Sequence, residues 1–303
     1  MSVASVRPMH CLSFDVEEHF QVSAFWSEAR RQQWDRYESR VEDNTRKLVE
    51  LLAQHGTKAT FFVLGWVAER HPDLVKLLVG QGHEVASHGY GHELVTTQSP
   101  EQFRHDVRKA KDILEHLTGS PVLGYRAPSF SITDQSQWAL TILVEEGYSY
   151  DSSMYDRFQR SETARGSNGL VQIDTVAGRI WEISPSTLNV CGFQVPVAGG
   201  GYFRLFPYAT SKAFLQRLEK QGAKLVMYLH PWEIDPEQPR MDGSWTAQFR
   251  HYLNLHKMEK RLATLLVDFQ FGSIVQILGA AWCKEQEKRV MVDWTKPDGS
   301  RVC

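Results

Sequence analysis

Short apolar runs rich in β-branched and aromatic residues alternate along this chain with longer stretches in which apolar residues recur at a helical period. Strands that alternate with helices are typical of a mostly parallel α/β sheet. The pattern therefore predicts an α/β fold with eight strands, at residues 11–16, 59–64, 84–87, 122–125, 148–151, 180–183, 225–229 and 273–278.

Three helices have clear signals. Over residues 100–117, apolar side chains recur at steps of four and three, behind a Ser99 N-cap. A second helix is expected over residues 41–56, and a third over residues 133–146 with Thr133 as its N-cap.

Two segments interrupt the alternation. Residues 157–169 are polar and predict a surface loop, whereas residues 231–245 contain three prolines and predict an extended loop long enough to carry function. We find no linker, so we predict a single catalytic domain over residues 1–303, with its core at about 10–280 and a tail at 281–303.

Composition narrows the class of protein. With 42% hydrophobic and 23% charged residues, the 303-residue chain is typical of a globular protein with a large core. The net charge is -2 and no block of lysine and arginine stands out, which argues against a nucleic-acid partner.

The cysteines and the apolar stretches indicate the cellular compartment in which the protein is expected. The four cysteines are scattered and form no CxxC pair, as expected in a reducing compartment. We see no signal peptide, and the apolar stretch 262–282 is interrupted by polar residues, so we predict a helix, a turn at Gly272 and a buried strand there rather than a membrane span. We therefore expect a cytoplasmic protein, for which peripheral association with the inner membrane stays open.

Polar residues stand at the ends of five predicted strands: Asp15, His88, Arg126, Asp151 and His230. In parallel α/β barrels the chemistry gathers at the carboxyl ends of the strands. The five positions together therefore predict a site at that edge.

The run Asp15-Val16-Glu17-Glu18 places two carboxylates two positions apart, on the same side of an extended segment. They are either a solvated strand end or two groups of one site, in which a metal would hold one carboxylate and leave the other as a general base.

His88 and His92 are four positions apart, and Gly89 and Gly91 between them let the chain bend so that both rings can point inward. They are either surface histidines in a turn or two corners of a site with two histidines and one carboxylate.

Arg126 begins the turn Arg126-Ala127-Pro128-Ser129-Phe130. It is either a surface charge or the partner that keeps Asp15 ionised and oriented, in which case the turn fixed by Pro128 could direct the Phe130 N–H at an oxyanion.

Near the end of the chain, His230 is either a packed histidine or a general acid. Asp151 could orient a catalytic imidazole, or it could cap its own strand.

Tyr202, Phe203 and Trp232 are the aromatic residues we expect beside a substrate, because flat apolar faces with polar tips suit a sugar ring.

In order, the motifs Ser-Phe-Asp-Val-Glu, Ser-His-Gly-Tyr-Gly-His, Arg-Ala-Pro-Ser-Phe and Leu-His resemble those of the NodB-homology polysaccharide deacetylases, carbohydrate esterase family four. The resemblance runs from about residue 11 to 277. The variants Leu-Ser-Phe-Asp-Val-Glu-Glu-His-Phe and Tyr-Leu-His-Pro-Trp-Glu resemble the subgroup found with exosortase-linked exopolysaccharide loci.

The resemblance implies a single distorted (β/α) barrel with about seven parallel strands. It also implies a divalent metal, Zn²⁺ with Co²⁺ or Ni²⁺ as alternatives, held by Glu17, His88 and His92. Asp15 would be the base and His230 the acid.

The chain departs from the family at the first motif. The family has two adjacent aspartates, of which the second binds the metal, whereas Val16 occupies that place here. Glu17 is therefore assigned to the metal, with Glu18 as the alternative.

The implied reaction is metal-dependent hydrolysis of linear amide bonds: the N-acetyl groups of hexosamines in a polysaccharide, or in its lipid- or nucleotide-linked precursor, during exopolysaccharide biosynthesis. Two alternatives stay open, an allantoinase-like cyclic-amide hydrolase on the same fold and a glycan-binding or scaffold protein with a degraded site. The expected partner is a glycan containing N-acetylhexosamine, and the sequence does not give the oligomeric state.

Overall fold

The computed structural model describes residues 8–155, 169–190 and 193–279 of the chain. The predicted tail, most of the predicted polar loop, and Cys191, Cys283 and Cys303 lie outside the described residues. Cys11 is buried and its thiol is free.

The strands lie in chain order at β1 Met9–Val16, β2 Thr60–Val63, β3 Glu84–Ser87, β4 Gly124–Tyr125, β5 Tyr150–Asp151, β6 Leu170–Thr175, β7 Gly178–Ile183, β8 Thr187–Val190, β9 Phe193–Pro196, β10 Val226–Leu229 and β11 Gln270–Gly272. In the described part of the chain, nine of them form one sheet in the order β10-β1-β2-β3-β4-β5-β7-β6, with β11 also paired to β1. Its strand pairs are parallel except β6 with β7, and β8 and β9 form a separate antiparallel hairpin. The predicted α/β fold with a mostly parallel sheet is confirmed.

The helices are α1 Glu28–Arg31, α2 Val41–Gln54, α3 Gly65–Arg70, α4 Pro72–Gly80, α5 Pro100–Thr118, α6 Trp138–Glu145, α7 Gly200–Leu205, α8 Tyr208–Lys220, α9 Trp245–Tyr252 and α10 Met258–Asp268. Short 3-10 turns cover Ser23–Phe25, Trp34–Arg36, Val95–Thr97, Pro128–Phe130, Pro231–Ile234 and Leu255–Lys257. Among the described residues, no helix is both long enough and apolar enough to cross a bilayer.

Helix α5 shows how local sequence sets these elements. The Ser99 side chain accepts from the Gln102 N–H, and the Gln102 side chain accepts from the Ser99 N–H, which is a complete capping box. Gly119, with φ of 64°, ends the helix in the left-handed region. The apolar face of α5 packs into the main core through Phe103 and Leu114.

The sheet curves towards closure between β7 and β10. The Tyr228 N–H donates to the Ala198 carbonyl at 3.0 Å, and the Ser186 N–H donates to the Val226 carbonyl at 3.2 Å. The chain that follows β7 therefore lies along the outer edge of β10, so that the two ends of the sheet approach each other as in a distorted barrel.

Several predicted elements need correction. The predicted strand over 273–278 is wrong, because β11 ends at Gly272 and residues 274–279 are helical. The Ser273 N–H donates to the Gln276 side chain at 2.9 Å and the Ser273 hydroxyl accepts from the Gln276 N–H, so Ser-x-x-Gln begins a helix.

Helix α6 begins at Trp138, not after Thr133, whose N–H donates to the Ser136 hydroxyl in a preceding turn. The pattern also missed β6, β8, β9 and β11; β6 is partly exposed, and the other three have only three or four residues each.

Tight packing between β4 and β5 gives a test of this fold. A Cβ added to Gly124 would lie 1.9 Å from the ring of Tyr150, a buried side chain whose hydroxyl donates to Glu84. We expect Gly124→Ala to lower the free energy of unfolding by ~1–3 kcal/mol, measured by urea denaturation. Gly80→Ala is the matched control, because a Cβ at Gly80 meets nothing within 4 Å. A Gly124→Ala protein as stable as the wild type would contradict this packing.

Candidate metal and catalytic site

Four of the five polar residues predicted at strand ends meet at one edge of the sheet. Asp15 is the second-last residue of β1, His88 follows β3, Arg126 follows β4, and His230 follows β10. They meet because neighbouring parallel strands end on the same side.

Glu17, His88 and His92 converge on one point, and their nearest ligand atoms all lie within 4.8 Å of one another. Glu17 Oε2 is 2.6 Å from His92 Nε2 and 3.7 Å from His88 Nε2. All three side chains are buried. Imidazole nitrogens and a carboxylate oxygen are the donor types of catalytic zinc sites, so these residues could hold a divalent metal.

The hydrogen bonds around these ligands fit a metal. His88 Nδ1 donates to the Arg126 carbonyl at 2.8 Å, which leaves His88 Nε2 as the nitrogen with a free lone pair. Trp232 Nε1 donates to Glu17 Oε1 at 3.3 Å, whereas Glu17 Oε2 is buried without a hydrogen-bond partner among the described residues. Burial alone would raise the pKa of Glu17, but the imidazoles of His92 and His88 hold it well below its usual range.

A half-buried aspartate shapes the turn between the two histidines. The Asp106 carboxylate accepts from the Tyr90 N–H at 2.8 Å and from the Gly91 N–H at 3.0 Å. Gly89 has φ of 74°, and a Cβ there would lie 2.6 Å from Asp106 Oδ2. His92 itself has φ of 52°, a strained conformation that recurs at functional sites. Sequence reasoning found the glycines but missed Asp106, which lies 14 positions after His92 on the face of α5.

Asp15 is held by a buried guanidinium. Arg126 is 0% exposed, and its Nη1 donates to Asp15 Oδ1 at 2.7 Å and to the Ser13 hydroxyl at 2.9 Å. Its other nitrogens donate to Ser152. The predicted pairing of Arg126 with Asp15 is confirmed, and it orients the second carboxylate oxygen towards His230 Nε2, 3.9 Å away.

His230 is oriented by Glu233, not by Asp151. His230 Nδ1 lies 2.7 Å from Glu233 Oε1, and the other Glu233 oxygen accepts from Arg204 Nε at 2.9 Å. Burial opposes the charged imidazole, but the bond to Glu233 and the nearby carboxylates of Glu17 and Asp15 raise the pKa of His230 to about 9. The imidazole is therefore held protonated at neutral pH.

Of the two roles predicted for Asp151, the cap of its own strand is the one that the structure shows. Its carboxylate accepts from the Ser153 hydroxyl at 2.5 Å and from the Ser153 N–H, and it faces Glu182, its partner in the β5–β7 register. Burial raises the pKa of both carboxyls, as expected for two acids that share a proton. The spacing His-x-x-Glu, which matches a capping box, could have identified Glu233 from the sequence.

Some of the residues predicted to contact substrate line the cleft, and others do not. Trp232 and Phe130 line the cleft, whereas Phe203 is buried in the core, where its ring meets Tyr208. Phe203 is therefore not a substrate contact, because its helix turns the neighbouring Arg204 towards the cleft instead.

Two further predicted residues lie beside the cleft rather than in it. Tyr202 stacks on Phe206, and Pro128 is buried at the start of its turn. The Phe130 N–H donates to the Ala127 carbonyl at 3.0 Å, so an oxyanion could take it only in competition, and that role stays a prediction.

The cleft has a volume of about 530 Å³ and is open to solvent on one side. Asp15, Glu17, His88, His92 and His230 line it, together with residues of the segment 22–24 and of helix α9. Glu18 points elsewhere, since its carboxylate accepts from the Arg40 N–H at 3.0 Å. Glu17, rather than Glu18, is the carboxylate beside the histidines.

Comparison with known proteins finds matches among polysaccharide deacetylases. A family model described as polysaccharide deacetylase matches residues 33–149, and one described as a domain of unknown function, DUF3473, matches residues 153–279. A Bacillus cereus peptidoglycan-N-acetylglucosamine deacetylase is 33% identical over 182 residues, which cover 60% of this chain and 78% of that protein.

Other relatives match over a shorter part. A second Bacillus cereus peptidoglycan-N-acetylglucosamine deacetylase is 35% identical over 31% of this chain and 35% of its own length, so the match spans about a third of that relative. A solved Mycobacterium smegmatis structure, proposed to be a polysaccharide deacetylase, has a TM-score of 0.63 at 18% identity and covers 94% of each chain. At that identity the likeness supports the barrel fold alone.

The adjacent residues Glu17 and Glu18 allow a matched test of the metal site. We expect the wild-type protein to bind one divalent ion, and Glu17→Gln to weaken that binding at least ~100-fold because an anionic ligand is lost. Glu18→Gln should bind the ion like the wild type, because Glu18 faces Arg40. Titration of the metal-free proteins against a chromophoric chelator measures both. Equal affinity of the two variants would refute the assignment.

Proposed function

Because this chain belongs to the polysaccharide deacetylase family, we propose that it hydrolyses the N-acetyl groups of hexosamine residues in a glycan. The observation that carries the proposal is the pairing of two oriented groups across one cleft: the Asp15 carboxylate fixed by Arg126 and the His230 imidazole fixed by Glu233. A site that had lost catalysis would not need two buried side chains, Arg126 and Glu233, to orient a base and an acid.

Asp15 is the general base of the proposed reaction. One of its oxygens is engaged by Arg126, while the other faces into the cleft and can accept a proton from the attacking water. The rigid guanidinium fork fixes the carboxylate before substrate arrives, so that no reorientation is needed during proton transfer.

His230 is the general acid. Its Nε2 faces Asp15 and Glu17 across the cleft, while Nδ1 is tied to Glu233. A protonated imidazole in this position can donate its Nε2 proton to the departing amine. His230 Nε2 lies 3.9 Å from the second Asp15 oxygen, so the acid and the base face the same part of the cleft, beside Glu17.

A divalent metal, for which we propose Zn²⁺, would be held by Glu17, His88 and His92 and would supply Lewis-acid activation of the acetyl carbonyl and of water. Glu17 directly follows β1, and His88 and His92 lie in the loop after β3; both strands belong to the same sheet. We also propose that the whole chain is one catalytic domain, because strands from both halves join that sheet, and that its glycan belongs to exopolysaccharide synthesis, as the motif variants imply.

Replacing the base is the most direct test. We expect Asp15→Asn to lower kcat for acetate release from N-acetylglucosamine oligomers by about 10²–10⁴-fold, because one proton transfer loses its acceptor. The unfolding midpoint should fall because the buried Arg126 loses its charged partner. Metal content and the folded circular dichroism spectrum, measured below that lowered midpoint, should be retained, which separates lost chemistry from lost structure. Near-native turnover by Asp15→Asn would rule out this role, and ring opening of allantoin by the wild type without acetate release would favour a cyclic-amide hydrolase.

Glu233 is a positioning residue that acts through His230. Replacing it should therefore lower kcat less than replacing the base Asp15 does. We expect Glu233→Gln to lower kcat about 10–100-fold with little change in KM, since the amide still bonds the imidazole but no longer stabilises its charge. Glu237→Gln, an exposed change four residues on, is the control. If both variants turn over like the wild type, His230 does not depend on Glu233.

A further inference from the structure

The two histidines of the candidate metal site are held in different ways. His88 Nδ1 donates to the Arg126 carbonyl at 2.8 Å, so a hydrogen bond of the ring itself fixes that imidazole. His92 Nδ1 is buried and has no hydrogen-bond partner among the described residues. Apart from its contact with Glu17 through Nε2, the His92 ring therefore depends for its orientation on the backbone that carries it.

That backbone is the turn over residues 89–91, whose carbonyls are held by a neighbouring helix. The Gly89 carbonyl accepts from the Gly65 N–H at 2.8 Å, and the Tyr90 carbonyl accepts from the Trp66 N–H at 3.1 Å. Gly65 and Trp66 are the first residues of α3, where N–H groups have no partner within the helix. One side of the turn is thus fixed by backbone alone.

The N–H groups on the other side of the turn depend on one side chain. The two oxygens of Asp106, which lies within α5, accept from the Tyr90 N–H at 2.8 Å and from the Gly91 N–H at 3.0 Å. His92 follows directly, and its φ of 52° is a strained conformation that persists only where the surroundings hold it. The bonds to Asp106 are the nearest contacts that can do so.

From this arrangement we infer that Asp106 is a positioning residue of the metal site. Its carboxylate fixes the turn, the turn fixes the His92 imidazole, and the imidazole thereby meets Glu17 and His88 at one point. A metal-binding histidine is usually oriented through its second ring nitrogen, whereas here the support reaches His92 through the backbone. The inference rests on the proposed metal site and names a residue that the site needs besides its three ligands.

Asparagine matches the shape of aspartate but has a single acceptor oxygen, so it can bond only one of the two N–H groups. We expect Asp106→Asn to weaken Zn²⁺ binding about 10–100-fold, the usual effect of losing a group that orients a metal ligand. Titration of the metal-free protein against a chromophoric chelator measures this. The visible absorption spectrum of the Co²⁺-loaded variant should also change shape, because it reports ligand geometry and not stability.

Two controls on the same helix separate positioning from stability. Asp112→Asn makes the same chemical change at an exposed position of α5 and should leave the affinity and the Co²⁺ spectrum unchanged. Leu114→Ala removes a fully buried side chain of α5 and should destabilise the fold, yet below its unfolding midpoint it should bind Zn²⁺ as the wild type does. Circular dichroism checks that each variant is folded during the titration.

Wild-type affinity and an unchanged Co²⁺ spectrum in Asp106→Asn overturn the inference. Equal weakening in Leu114→Ala also overturns it, because the effect would then follow stability. If the wild type binds the ion but releases no acetate from any glycan, the proposed function fails, and weaker binding by Asp106→Asn still supports the positioning role. If the wild type binds no divalent ion, the metal site and this inference are both wrong.

Discussion

The buried contact between Arg126 and Asp15 is the interaction on which the site depends. A guanidinium that is 0% exposed must have its charge and its donors satisfied, and Arg126 bonds Asp15 and Ser13 on β1 and Ser152 directly after β5. Its own carbonyl accepts from His88 Nδ1, so the same residue also fixes a metal-ligand candidate. Breaking such a pair by removing one charge typically costs ~3–5 kcal/mol. The polar floor of the cleft is thus part of what holds the strand ends together.

A second buried arginine supports a second carboxylate of the site in the same way. Arg204 is also buried, and it supports Glu233 as Arg126 supports Asp15. Gly200 makes the approach feasible, because a Cβ there would lie 2.0 Å from both Glu233 carboxylate oxygens. The two family models divide the chain near residue 150, yet each half supplies one of these supports and Asp15 precedes both. Neither half alone would contain a complete site.

Sequence reasoning located the strand ends well because buried parallel strands are short apolar runs, and a polar residue that directly follows one is conspicuous. It found Asp15, His88, Arg126 and His230 for this reason. It failed where the outcome depends on which elements become neighbours: Asp151 also ends a strand, but β5 pairs with β7, so its carboxylate meets Glu182. Arg204 had no signal at all, because nothing in a short helix after three glycines indicates which way a long side chain will turn.

Although the first motif is altered, Glu17 still reaches the histidines, because the chain turns after Val16 instead of continuing as a strand. Strand β1 ends at Val16, a core residue, and the Glu17 N–H donates back to the Asp15 carbonyl at 3.1 Å, which folds the chain over itself. This turn returns the longer glutamate side chain towards the histidines. Trp232 then engages one oxygen of Glu17 and leaves the other facing both imidazoles, as a carboxylate that binds a metal through one oxygen requires. Trp232 comes from the loop after β10, so the position of Glu17 depends on the second half of the chain. The indole is the hydrogen-bond donor to that oxygen, since His230 Nε2, 3.7 Å from it, lies beyond hydrogen-bonding distance.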